Sequence, residues 1–208
     1  MECLVGLSLS LVLVAPLIKN SGELIAKQIE LEKMHSLHAE ADRALELMGR
    51  AIRIAGYRQT TSFTQNGRRN SSIKDPILVQ KRMGFRGSDA FIVKHELSGG
   101  KDFDCIGNIL SKERTKNNLA IQGFLVDRQA SIPKGVQVNG GSLICQSLDR
   151  HGRLQNTTLM NGVNHLLIEE QALASTSSSN RLFKIRLQMT DGKSLYPDVE
   201  RTFSSRNL

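Results

Sequence analysis

The chain is 208 residues long, and its Lys and Arg outnumber Asp and Glu by 28 to 20, a formal net charge of +8. With no Trp, two Tyr and seven Phe, it has no aromatic–basic motif on which nucleic-acid bases would stack. Catalysis and metal binding find as little footing: there is no G-x-S-x-G, no H-E-x-x-H and no glycine-rich phosphate loop, and the cysteines lack zinc or thioredoxin-like spacing.

Glu2 is followed by sixteen uncharged residues, Cys3 to Ile18, and Lys19 and Glu23 end the run. A helix of that length covers about 24 Å, slightly short of a bilayer core of about 30 Å. Pro16 removes an amide and would loosen the helix near one end. A cleaved secretory signal would carry positive charge ahead of the apolar core, and only Glu2 stands there. Buried helices of soluble proteins are rarely apolar all round. The run is therefore expected to be a retained, membrane-embedded helix over residues 1–20.

Residues 21–56 are expected to continue this helix in amphipathic form. Leu24, Leu31, His38, Leu45 and Ile52 recur every seven residues, with Lys27, Met34, Ala41, Met48 and Ala55 three further on. Apart from Lys27 and His38, this is one apolar stripe. The small residues Ala41, Ala44, Gly49, Ala51 and Ala55 favour a helix lying close across a sheet over a coiled coil. His35 and His38 have no fixed partner ligands and read as solvated helix surface. Gly56 suits a left-handed C-cap. A continuous helix from Glu2 to Gly56 would be about 80 Å long and would protrude from any single domain.

Residues 57–208 are expected to form one globular antiparallel-sheet domain, long enough for one core but not two. Tyr57 to Pro76 is polar and reads as a surface excursion. Arg68, Arg69, Lys81, Arg82 and Arg86 make a basic loop region, a candidate patch for DNA or another anionic surface, though a solvated surface is the plainer reading. The sheet signal begins at Asp89, with strands over 90–97, 119–126 and 142–148. A short strand over 154–159 and another over 163–169 follow, then a Ser/Thr-rich loop over 174–180. Leu182 to Met189 alternates Phe183, Ile185, Leu187 and Met189 against polar neighbours, the clearest half-buried strand. Short antiparallel strands against one long helix give an α+β fold. Cys3 lies in the apolar run, so Cys105 and Cys145, outside the cytoplasm if the start is an anchor, are the natural disulfide pair.

Four segments carry a resemblance. Glu2-Cys3-Leu4-Val5-Gly6-Leu7 opens an apolar helix with a glutamate. Leu47 to Tyr57, LMGRAIRIAGY, closes the amphipathic one. Gly87-Ser88-Asp89-Ala90 leads into a strand, with Asp104-Cys105 and Cys145 beyond. Arg201 to Asn207 forms the tail. Together they resemble minor pilins of type IV pili, particularly the PilW kind, and the related J-type minor pseudopilins of type II secretion. The two ends of the long helix are the specific portions.

The resemblance implies a pilin-like fold and a structural role without enzymatic activity or cofactor. Glu2, with Leu4 and Leu7 beside it, would serve assembly, the carboxylate neutralising a neighbour's terminal amine. The implied partners are other minor pilins, the major pilin, the inner-membrane assembly platform and a prepilin peptidase. Methylation of the mature terminus goes with that processing. No Gly-Phe cleavage pair precedes Glu2, so translation is expected to start upstream of Met1. The implied location is the inner membrane with the globular part in the periplasm, then the pilus or cell surface. Two other readings stand beside this one. One is a type II secretion pseudopilin. The other is an anchored periplasmic module presenting the basic loop to DNA.

Overall fold

The computed structural model of the chain describes residues 2–59, 73, 75–130, 139–172 and 181–206, the side chains of 2–13 and 15–17 excepted. The helix α1 runs from Glu2 to Ile54 without a break, 53 residues. At 1.5 Å per residue it is about 80 Å long. Strong helix formers fill most of its second half. It ends where Gly56 takes φ 74°, the left-handed conformation that an L side chain resists. The next hydrogen bonds go to the sheet: Gly56 N–H donates to Lys94 C=O at 2.9 Å, and Glu96 N–H donates to Tyr57 C=O at 2.9 Å.

Seven strands follow in one antiparallel sheet whose spatial order is the chain order. They are β1 (Ile77–Gln80), β2 (Ala90–Glu96), β3 (Leu119–Asp127), β4 (Gly141–Leu148), β5 (Leu154–Ala172), β6 (Arg181–Met189) and β7 (Asp198–Ser204). In β6, Phe183, Ile185, Leu187 and Met189 are buried, as the period-two pattern requires. They form a core with Phe91, Val93, Phe124, Leu143 and Cys145 from the other strands. Onto that core α1 lays Ala41, Ala44, Leu45, Met48, Ala51, Ile52 and Ala55, all buried. Burying Leu45, Met48 and Ile52 alone contributes on the order of 5 kcal/mol.

Nineteen-residue β5 joins two halves of the sheet. Its first part, from Leu154 to Val163, pairs with β4, and from Val163 to Ala172 it pairs with β6. The change falls at Gly162, with φ 80°, and at a register shift between Val163 and His165. Beyond that point the edge left by β4 is covered by the segment ahead of β2. Asp89 N–H donates to Leu166 C=O at 2.8 Å, Leu166 N–H to Ser88 Oγ at 3.2 Å, and Ile168 N–H to Asp89 Oδ2 at 2.9 Å.

The connection between β2 and β3 is fastened to β4 twice. Cys105 and Cys145 form a disulfide with their Cα atoms 6.2 Å apart. Arg114 donates to Asp104 Oδ2 at 3.0 Å and to Leu148 C=O at 2.8 Å, and both side chains of the ion pair are nearly fully buried.

Several expectations need correction. Among the described residues no helix is long and apolar enough to cross a membrane, which overturns the membrane-embedded half at 1–20, the transmembrane helix and the inner-membrane location. The uncharged run is sixteen residues, about 24 Å of helix against about 30 Å of hydrocarbon, and Lys19 and Glu23 follow at once. The sheet starts at β1, ahead of Asp89, and ends with β7 in the polar tail. The segments 154–159 and 163–169 are one strand, because the register shifts at Gly162 against β4 and at Asn164 against β6 bend β5 without ending it. The segments 60–72 and 174–180 lie outside the described residues.

Candidate functional site

Every described residue from Ile18 to Lys33 is exposed. This half of α1 projects past the domain and still carries large apolar side chains. Ile18 is 67% exposed, Leu24 67%, Ile25 58%, Ile29 48% and Leu31 69%. Val14, Ile18, Ile25 and Ile29 follow steps of four and seven, so they share one face. Leu24 and Leu31 lie on a second face, about 120° round at 3.6 residues per turn. The second face prolongs the stripe that further along buries Leu45 and Ile52 on the sheet. The heptad stripe read from the sequence is thus split: its end packs on the domain and its beginning is left open.

Glu2, Leu4 and Leu7 lie on the α1 backbone, and their side chains are outside the described residues. Arg68 and Arg69 are outside them as well. The structure brings Lys81 and Arg82 together around Asp89, a residue the basic-patch reading did not use. Lys81 Nζ contacts Asp89 Oδ2 at 2.9 Å and donates to Ile168 C=O, and Arg82 N–H donates to Asp89 Oδ1 at 3.0 Å. Burial pushes the Asp89 carboxyl up. The Ile168 N–H, the Lys81 ammonium and the Arg82 N–H outweigh that and hold it below its ordinary range. Arg86 sits over the Phe85 ring, 5.3 Å from its centroid, and donates to Asn164 Oδ1. Lys81 and Arg86 are exposed, and each gives part of its donors to the junction between the β1–β2 connection and β5. A local signal existed, since Lys81 and Asp89 flank one short connection, but β5 as the third party is remote in sequence.

His95 is fully buried. Its Nδ1–H faces the Glu96 carbonyl at 3.0 Å, and Nε2 lies 3.5 Å from Gln122 Nε2. Burial pushes the imidazole below its ordinary range, against the Glu96 carbonyl and the Asp102 charge, which act the other way. Asp102 is engaged by Ser98 Oγ at 2.6 Å. This cluster is a polar fastening of the strand end. Among the described residues no group of three or more His, Cys, Asp or Glu is placed to hold a metal ion.

No family model, no curated protein and no solved structure matches the chain. The architecture is nonetheless pilin-like in general: a long N-terminal helix whose second half packs on an antiparallel sheet.

Proposed function

We propose that this chain is a structural filament subunit of the minor-pilin kind that primes or assists type IV pilus assembly and has no enzymatic role. The observation that carries the reading is the projecting half of α1, exposed at every described residue from Ile18 to Lys33 and apolar on two faces. Two apolar faces suit a helix that packs among several others. Its partners on this reading are the helices of other minor pilins and of the major pilin. Glu2 then meets a neighbour's terminal amine, with Leu4 and Leu7 in the apolar contact around it. A pseudopilin of a secretion system would use the same surfaces, and neighbouring genes separate the two. The DNA-binding alternative is less favoured, because the Lys81 charge is paired with Asp89.

The test is the double variant Ile25→Glu with Leu31→Glu. Neither side chain contributes to the domain core, so the melting temperature should stay unchanged. Surface filament number, or secretion output, should fall at least tenfold at matched protein level. Unchanged assembly at matched level would defeat the reading.

A further inference from the structure

Strand β5 has an open edge. On one side, β4 covers Leu154 to Asn161 through pairs that run from Leu148↔Leu154 to Ser142↔Asn161. On the other side, β6 meets β5 only from Val163 onward, and the chain leaves β6 through Thr190, whose N–H donates to Gly162 C=O. Among the described residues no hydrogen bond from outside β4 reaches the main chain of Leu154–Asn161. Antiparallel strands turn alternate main-chain groups to opposite edges. About half of the N–H and C=O groups of this stretch therefore face outward with no strand to meet.

This edge also lacks two of the devices that keep edges apart, charge and proline, although its pairing with β4 slips at Leu159. From Leu154 to Ile168 there is no Lys, Arg, Asp, Glu or Pro. The sheet's own terminal strands differ: β7 carries Asp198, Glu200 and Arg201, and β1 is four residues long. Proteins blunt exposed edges with charge, proline, bulges or brevity, and an edge this long with neither charge nor proline is a template for a further strand.

The edge forms one wall of a groove, and α1 forms the other with Arg43, Leu47 and Arg50. Ile106, next to the disulfide, lines it together with Leu159 and Met160 of the edge itself. The four apolar side chains are half-buried against the core and have a face left over. Arg43 and Arg50 are exposed and hold no ion pair among the described residues. The carboxylates on the same groove are Glu40, which is exposed, and Asp104, which Arg114 already engages.

We infer that the outer edge of Leu154–Asn161 and its groove are a docking site for an extended, acidic-apolar segment of another protein, which adds to β5 as a strand. Main-chain hydrogen bonds to the open edge supply the affinity. Alternate apolar side chains of the incoming strand cover Leu47, Leu159 and Met160, and a carboxylate pairs with Arg43 or Arg50. A helix in the groove would leave the outward N–H and C=O groups unpaired. A basic strand would meet two uncompensated guanidinium groups.

The test titrates the oxidised full-length chain with a fluorescent octapeptide of alternating valine and glutamate. Controls are the same peptide with lysine for glutamate, and two versions N-methylated at one or the other set of alternate residues. The glutamate peptide should bind saturably and slow amide exchange at 154–161. The lysine peptide and one N-methylated version should bind at least tenfold more weakly. Arg43→Glu with Arg50→Glu should weaken the glutamate peptide at least tenfold without changing the melting temperature. Equal affinity for all the peptides, no saturable binding, or protection elsewhere would each overturn the proposal. Preferential binding there of a helical probe, the α1 segment 14–33, would overturn it in favour of a helix contact between subunits.

Discussion

The ring of Phe203 in β7 lies so close to Gly49 of α1 that a Cβ added at position 49 would overlap it. Around this contact the helix and the last strand are tied by charge. Arg201 pairs with Asp42 at 2.8 Å, Arg53 pairs with Glu46 at 2.9 Å, and the Arg53 guanidinium lies 5.9 Å from the Phe203 ring centroid. The glycine sets how near α1 approaches the sheet, and Phe203 fills the space it leaves.

Gly49→Ala should therefore reverse its usual sign. In a helix interior the change normally stabilises by about 1 kcal/mol. Here the new methyl group must displace a buried ring, and overpacking costs about 1–3 kcal/mol. We expect a net loss of stability in urea unfolding. In a Phe203→Ala background, where the obstacle is gone, the same change should stabilise. A gain in both backgrounds would show that the ring yields freely.

The sequence was legible where a period persisted. The second half of α1 and strands β2 to β4 and β6 show their buried faces directly, and the run of small residues at 41–55 announced a close crossing. β7 stayed hidden because its buried residue is Phe203 alone, between exposed Arg201, Thr202 and Ser204. β1 is too short for its alternation to register. The basic loop was legible only as charge: charge counts do not reveal that Lys81 pairs with Asp89 and that Arg86 donates to Asn164. The open stretch of β5 did have a sequence signal, fifteen residues without charge from Leu154 to Ile168, but only the pairing of β4 and β6 shows that part of it has a free edge.

Arg114→Met should be among the most damaging substitutions away from the apolar core. It removes the partner of the buried Asp104 carboxylate and the donor to Leu148 C=O. Breaking a buried pair from one side costs about 3–5 kcal/mol, because the other charge is left stranded. Asp104→Asn with Arg114→Met should recover part of that loss. Chemical unfolding with the Cys105–Cys145 bond intact measures both. Equal stability of the single variant and the parent chain would mean that Asp104 needs no cation.

Acid should weaken the fold in two separate windows. His95 has a folded pKa below its ordinary 6.5, so the unfolded chain binds its proton first as pH falls. Its contribution is fully present above 6.5 and is lost as pH drops from there toward the folded value. Asp89 has a folded pKa below 3.8, so its contribution is present above 3.8 and is lost only at lower pH. His95→Asn should flatten the upper window and leave the lower one in place. Asp89→Asn should lower stability at neutral pH and reduce the acid loss. That loss should not vanish, since Asp149, Asp191 and Glu200 are also shifted down. The check is the urea midpoint from pH 3 to 8. An unchanged upper window in His95→Asn would assign it to another group.

The two halves of α1 should separate cleanly in a truncation series. Residues from Ile18 to Lys33 are exposed, whereas Ala41, Leu45, Met48 and Ile52 are buried on the sheet. A chain beginning at Gln28 keeps the whole packed stripe and one further turn ahead of Met34, which suffices against end fraying. Its melting temperature should match that of the full chain. A chain beginning at Tyr57 loses the stripe, on the order of 5 kcal/mol of burial, which is comparable to the whole margin of a domain this size. It should unfold at much lower temperature and expose the core face of β6, with Phe183, Ile185 and Leu187, to a hydrophobic dye. The disulfide survives in both chains, so its presence cannot explain the difference. Equal melting temperatures for all three would mean that the sheet closes its core without α1, and the pilin-like packing of helix on sheet would then hold nothing together.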